Sequence, residues 1–293
     1  MKDHQSTHKP VLLDEVISLL APQKGQSLLD ATAGYGGHST AILQKTGDPK
    51  TSVLIDRDEQ AIDALKKINE LSRATIIHND FASASKELND QHRTFDLILA
   101  DFGVSSPHLD KASRGFSFKN DGPLDMRMDT SKGLTAADIV NTSSEEALVN
   151  IIKMYGEEKH AKRIANAIAE HRPFLSTHDL ATTIARTSSK RSKVHPATKT
   201  FQALRIAVND ELAQIAYTVP LWLSMLNTGG RIAVISFHSL EDRIVKDTFN
   251  EQGKNEYDAT IQILTKKPIS ASKQELVFNP RARSAKLRAA VKK

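Results

Sequence analysis

Residues 28–39, Leu-Leu-Asp-Ala-Thr-Ala-Gly-Tyr-Gly-Gly-His-Ser, limit the fold more than any other stretch of this 293-residue chain. An apolar run stops at Asp30, passes Gly34, Gly36 and Gly37, and enters a segment (Ala41, Ile42, Leu43) that reads as a helix. Strand, glycine-rich turn and helix form the opening unit of a Rossmann-like nucleotide-binding domain. Glycine lets the backbone turn tightly and lets a ligand approach with no Cβ in the way. The helix N-terminus then offers free N–H groups to an anionic group. As a dinucleotide fingerprint the loop is incomplete, because Ser39 stands where a third glycine belongs. A second strand, 51–55, runs into Asp56, about 20 residues past Gly36, the offset of a carboxylate that accepts from ribose hydroxyls. Together these predict a bound nucleoside with a free ribose.

The alternation continues. Residues 11–20 have helical apolar spacing, 58–71 read as an amphipathic helix, 74–78 as a strand ending in Asn79-Asp80-Phe81, and 95–100 as a strand ending at Asp101. Continuous apolar strands alternating with helices predict an α/β fold with a parallel sheet covered on both faces. After Asp101 the pattern gives way to an irregular stretch and then to helices. Ser143 to Glu146 and Ser176 to Asp179 read as capping boxes, and Phe201 to Ile215 carries another helical stripe that Pro220 is expected to interrupt. Gly229-Gly230 introduces a strand over 231–237, and 261–264 and 275–278 read as further strands. The economical organisation is a core in two parts, 1–106 and 216–293, with a helical insert over 107–215.

Composition narrows the chemistry. The chain has no cysteine, which removes disulfides, thiolate metal sites and cysteine nucleophiles together. Chemistry that runs through a cysteine–substrate adduct is therefore closed to it. The eleven histidines fall into no metal-ligand spacing, so no metal is expected. The polar start and the lack of a long apolar run predict a cytoplasmic protein with no membrane partner. The net charge of +5 is placed unevenly. Arg186, Lys190, Arg191, Lys193, Lys199 and Arg205 form one run without an acid, and Arg281, Arg283, Lys286, Arg288, Lys292 and Lys293 form another. A charge run is usually a solvated face, but two acid-free runs favour a nucleic acid.

Ligands of open α/β sheets sit beyond the carboxyl ends of the strands. Those ends carry Asp30, Asp56, Asp80 with Phe81, Asp101 and His238. Phe81 reads either as an adenine contact or as plain core. Asp101 reads either as a loop cap or as the acceptor for a reacting amine, whose delocalised lone pair needs such help. Ser239 with Asp242 reads as a capping box, with His238 a weaker substrate contact. The segment Ser105-Ser106-Pro107-His108 resembles the proline loop of amino-methyltransferases.

Longer motifs carry a more specific resemblance. His8 to Leu13, the Asp30 to Ser39 loop, Asp101 to Asp110, Arg114 to Phe118, Gly122 to Asp129, His195 to Thr198, Phe201 to Arg205, Asn209 to Leu212, Ile235 to Arg243 and Asn279 to Arg288 resemble the bacterial 16S ribosomal RNA cytosine-N4 methyltransferase family over nearly the whole chain. The resemblance implies a Rossmann-like class I methyltransferase sheet with an inserted all-helical domain that helps recognise RNA. It implies S-adenosylmethionine as cofactor and methyl transfer to N4 of a decoding-region cytidine in the small ribosomal subunit. The cofactor would contact Gly36, Gly37, His38, Asp56, Phe81, Asp101 and His108, the last where the family usually has glutamine. Asp101, Ser106 and Pro107 would be catalytic. Lys190, Arg191, Lys193, Lys199, Arg205, Arg281 and Arg283 would bind RNA. A homodimer stays open. The alternatives at this stage are a nicotinamide-dependent dehydrogenase, which Ser39 and the basic runs disfavour; a non-catalytic RNA-binding protein, which the strand-end acids disfavour; and a DNA amino-methyltransferase, which the looser proline loop disfavours.

Overall fold

Short apolar strands that must bury both faces build the sheet. In the computed structural model, which describes residues 10–105, 109–188, 194–254 and 258–293, the chain divides into two units, Met1–Gly103 with Leu212–Lys293, and Val104–Glu211.

The first unit holds α1 (Leu13–Leu20), β1 (Leu28–Asp30), α2 (Gly37–Thr46), β2 (Val53–Asp56), α3 (Glu59–Leu65), β3 (Thr75–His78), α4 (Phe81–Asp90) and β4 (Phe95–Asp101). Its seven-stranded sheet is completed by elements from the C-terminal part and has the order β3-β2-β1-β4-β5-β7-β6. Strands β1 to β5 pair in parallel, while β7 lies antiparallel between β5 and β6. The fold is a Rossmann-like α/β sheet. Successive side chains leave opposite faces, and the sequence fills both. Leu29, Val53, Ile55, Ile98 and Val234 enter one core with Trp222 and Phe249, while Leu28, Leu54, Leu97, Leu99 and Ile235 enter the other with Val16 and Leu20.

Three local expectations are corrected here. The helix expected over 58–71 stops at Leu65, and residues 69–71 form a separate 3₁₀ turn. After β3, Asp80 accepts from the Ser83 N–H at 2.8 Å and caps α4. Residues 275–278, expected as a strand, belong to α12 (Lys273–Phe278), capped by Ser272, whose hydroxyl accepts from the Glu275 N–H at 3.1 Å. Pro220 does not interrupt its helix. The helix α10 (Glu211–Met225) runs through it. Pro220 and Ala216 both face solvent, so the carbonyl that loses its donor can turn to water, while Ile215, Val219, Trp222 and Leu223 are buried.

Strand β5 (Leu226–Ser236) begins ahead of the double glycine, which forms an irregularity in the pairing with β4. A Cβ on Gly230 would lie 2.8 Å from the Asn227 carbonyl oxygen, so only glycine fits. α11 (Ser239–Gly253), β6 (Ile261–Ile263) and β7 (Lys286–Lys292) complete the unit.

The second unit contains α5 (Ala136–Thr142), α6 (Glu145–Gly156), α7 (Ala161–Glu170), α8 (Thr177–Arg186) and α9 (Thr198–Asn209) around a core including Met126, Leu148, Ile152, Ile168, Leu180 and Phe201. Ser144 caps α6 by accepting from the Ala147 N–H and Ser176 caps α8 by accepting from the Asp179 N–H, each as the serine half of the expected capping box. Among its described residues Thr200 Oγ1 is buried without a hydrogen-bond partner, whereas buried Asn209 is well engaged. The Asn209 amide accepts from the Met128 N–H and donates to the Met126 carbonyl, both at 2.8 Å. Among the described residues, no helix is long and apolar enough to cross a membrane.

Candidate active site

The sheet places its acids in a row at one edge. β1 ends at Asp30, β2 at Asp56 and β4 at Asp101, with β1 paired to both β2 and β4. Asp30 is buried. It accepts from the Ser39 hydroxyl at 2.5 Å and from the Thr32 N–H at 3.2 Å. Burial still pushes its carboxyl up to about 6, because those hydrogen bonds only partly offset the lost hydration and Asp56 adds repulsion. The Asp101 N–H donates to Thr32 Oγ1 at 2.5 Å. Burial, then the neighbouring Asp30 and Glu241 carboxyls, raise the Asp101 carboxyl well above the usual carboxylate range. Among the described residues, Asp101 Oδ1 and Ser236 Oγ, at the ends of adjacent strands, are buried with no hydrogen-bond partner.

Buried polar atoms left unpaired are costly and rare. Two of them at the carboxyl edge of an α/β sheet, beside acids that repel one another, make a site that a positively charged, hydrogen-bonding ligand would relieve.

His38 borders this site. Its Nε2 lies 2.9 Å from the Val11 carbonyl oxygen and its Nδ1 lies 3.8 Å from Asp101 Oδ2. Burial lowers its pKa to about 4, so the ring is neutral near pH 7 and its contact with Asp101 is not an ion pair. Because a carbonyl only accepts, Nε2 carries the proton and Nδ1 presents a lone pair toward Asp101. The glycines divide the labour of the loop. A Cβ on Gly36 would lie 2.8 Å from Ile68 Cδ1, and one on Gly37 would lie 2.6 Å from Pro10 Cγ. Packing therefore dictates both residues, leaving their backbone for a ligand. Gly34, at φ +52°, has only the Thr32 carbonyl oxygen within 4 Å of that position, at 3.9 Å, and is the open one.

Asp56 accepts from the Gly34 N–H through Oδ2 and from the Asp58 N–H through Oδ1, both at 2.8 Å, tying the glycine loop to β2. Phe81 is core. It is 7% exposed and packs against Trp222 and Phe102 at centroid distances of 5.6 and 5.9 Å, with the Arg57 guanidinium 5.8 Å from its ring centroid.

The cap after β5 is corrected by one residue. His238, not Ser239, is the N-cap of α11, and Glu241, not Asp242, is its reciprocal partner. Buried Glu241 accepts from the Phe237 N–H at 2.7 Å and the His238 N–H at 3.2 Å. Asp242 instead accepts from Arg288 Nε at 2.6 Å, clamping α11 to β7 and holding its own carboxyl below the usual range.

Of the cations expected to meet RNA, Arg281 and Arg283 are exposed. Lys199 donates to the Glu157 carbonyl oxygen at 2.9 Å and is half exposed. Arg205 is corrected. Its guanidinium makes a two-pronged pair with Glu211 at 2.9 and 2.7 Å and its side chain is 16% exposed, so it serves the helical unit's own structure. Ser106, Pro107, His108, Lys190, Arg191 and Lys193 lie outside the described residues.

Comparison with known proteins gives a consistent result. The MraW methylase family matches residues 5–293. Proteins named ribosomal RNA small subunit methyltransferase H are similar to this chain: that of Acidobacterium capsulatum is 46% identical, with 98% of each chain covered. Those of Synechocystis sp. (47% identical, 97% of this chain and 93% of the relative) and Cyanothece sp. (48% identical, 97% and 94%) are comparably close.

Proposed function

Because the chain belongs to the MraW methylase family, we propose that it transfers a methyl group from S-adenosylmethionine to the exocyclic N4 amine of a decoding-region cytidine in 16S ribosomal RNA, within the small ribosomal subunit. The observation that carries this reading is buried Asp30 at the end of β1 next to Asp101 at the end of β4, one of whose carboxyl oxygens is buried and unpaired. The family and the relatives' names support ribosomal RNA as substrate.

The residues present fit the cofactor. When bound, S-adenosylmethionine supplies a methyl group on a positively charged sulfur. Asp30 and Asp101 offer that cation a dry, negative environment in which charge attraction is stronger than in water. The open side of Gly34 gives the nucleoside a close approach, Asp56 accepts from ribose hydroxyls, and Gly36, Gly37 and His38 complete the cradle; His108 is assigned to the cofactor from the family resemblance. Phe81 supports it from within the core.

Ionised Asp101 then accepts a hydrogen bond from the target amine, drawing its lone pair out of the ring and aiming it. Ser106 and Pro107 are assigned a catalytic part from the family resemblance. Holding the reacting atoms about 3–3.5 Å apart is the larger part of the rate enhancement. No covalent enzyme intermediate forms, in keeping with a chain that has no cysteine. The helical insert, with Lys190, Arg191, Lys193 and Lys199, and the exposed Arg281 and Arg283 hold the RNA backbone.

The test is transfer from methyl-labelled S-adenosylmethionine to small ribosomal subunits from cells lacking this protein, followed by nucleoside mass spectrometry. The expected product carries the label on cytidine N4. Label on another atom, or none while the cofactor still binds, overturns the reading.

A further inference from the structure

The basic C-terminal run contains a feature that its charges do not explain. α12 ends in Val277 and Phe278, which are 74% and 79% exposed. They are followed by a 3₁₀ turn, Pro280–Ser284, whose Arg281 and Arg283 also face solvent. An aromatic ring in water beside two arginines, with no acid from Leu276 to the end of the sequence, suits a polyanion that carries flat bases.

The segment is built as a rigid platform. Glu275 accepts from the Leu12 N–H at 2.9 Å. Ala282 and Ala285 are buried in the sheet's core, and Leu276 packs against it. The Asn279 N–H donates to the Glu275 carbonyl at 2.7 Å, and the Asn279 carbonyl accepts from the Ala282 N–H at 3.0 Å, closing the joint between helix and turn. Fixed anchors leave Phe278 and the arginines displayed at little ordering cost on binding.

Its place in the sheet is also informative. Asp101 pairs with Ile235, and Ile235 pairs with Leu287. Leu287 is therefore two strand spacings from Asp101, about 4.8 Å each. Because β7 is antiparallel, the turn that leads into it lies at the same edge of the sheet as the strand-end acids. A chain of RNA with one nucleotide at Asp101 has its neighbours within reach of that edge.

We infer that Phe278 is a stacking platform for an unpaired base flanking the methylated nucleotide, with Arg281 and Arg283 holding the adjoining phosphates. Base–aromatic stacking tolerates any sequence, so the platform positions single-stranded RNA without reading it. The inference rests on the reading of the protein as an RNA methyltransferase and adds a contact for the substrate strand outside the acid cluster.

The test uses the full chain and a mixed-sequence, single-stranded RNA oligonucleotide carrying 2-aminopurine, whose fluorescence is quenched on stacking. The wild-type protein should quench it, and a duplex of the same sequence should be quenched less. Phe278→Ala should abolish the quench and weaken binding by about 5- to 150-fold, while Phe278→Trp retains both. The double variant Arg281→Gln with Arg283→Gln should keep the quench at low salt. It should also reduce the slope of log affinity against log salt by about 0.7 for each cation lost. Cofactor binding should be unchanged in all variants, which excludes misfolding as the cause. Unaltered quench and affinity in Phe278→Ala overturn the inference even where the wild-type product is N4-methylcytidine. Loss of transfer to assembled subunits with naked-RNA binding intact also overturns it, because the platform would then contact protein. A lost quench together with a methylated product at another atom would support the platform and sink only the cytidine assignment.

Discussion

The sheet edge and the helical unit treat buried charge in opposite ways. In the helical unit Arg205 and Glu211 form a two-pronged pair, and Asn209 satisfies two backbone groups. At the sheet edge Asp30 is buried next to Asp101, one of whose carboxyl oxygens is buried with no partner among the described residues. The two places differ in completion. A satisfied buried charge is explained by the fold around it, whereas an unsatisfied one points outward to something the fold is waiting for.

That contrast breaks if charge removal has the same effect in both places. The largest effect is expected from Glu211→Gln, which removes the buried carboxylate that pairs with the largely covered Arg205 guanidinium. It should destabilise the protein by about 3–5 kcal/mol in denaturant titration. At the sheet edge the sign should reverse. Asp101→Asn should lower methyl transfer on the order of 10²-fold or more, yet leave the melting temperature unchanged or raised at pH 7.5. A destabilised Asp101→Asn protein would show the acid to be structural.

Asp30 tests the same idea through pH. Its folded-state carboxyl titrates near 6, above the 3.8 of an unperturbed one. The folded state therefore holds its proton longer, and stability falls as pH rises between those values. The penalty is complete above about 6 and is roughly 3 kcal/mol at about 1.4 kcal/mol per unit. Asp30→Asn should recover up to that amount at pH 7.5 and nothing near pH 3.5, measured by denaturant unfolding at both. Cofactor affinity in the wild type should fall as pH drops through 6, because protonation removes the negative charge. A pH-independent affinity would detach Asp30 from the site. The smallest effect belongs to Asp56→Ala. Loss of one charged hydrogen-bond acceptor should weaken cofactor binding by about 1.5–3 kcal/mol in calorimetry.

Much of the sheet edge was legible because its signals are local. Asp30, Asp56 and Asp101 each close an apolar run, and the glycine loop follows the first of them. What escaped depends on contacts across the chain. Ser239-x-x-Asp242 and His238-x-x-Glu241 both fit a capping pattern. Only the Arg288 that claims Asp242 decides between them, and it lies on another strand. Arg205 resembled a phosphate ligand because its run holds no acid, but the acid that takes it comes one helix later, at Glu211. Phe81 could be read as ligand contact or core until Trp222 and Phe102 closed around it. The short apolar run Leu276 to Phe278 reads like a strand, yet a serine three positions ahead of Glu275 caps the segment as a helix.

The pairing of β4 with β5 has a kinetic consequence. Asp101 and Ile235 are neighbours in the sheet, but the whole helical unit lies between them in sequence. Closing a disordered loop of roughly a hundred residues costs on the order of 4 kcal/mol in chain entropy. Helices stabilised by local contacts form sooner than strand pairs of this span. A helical unit that has already condensed shortens the effective loop, and one weakened by a core substitution lengthens it. Asp101 is thus expected to reach its final surroundings late, at a rate that depends on how stable the helical unit is by then.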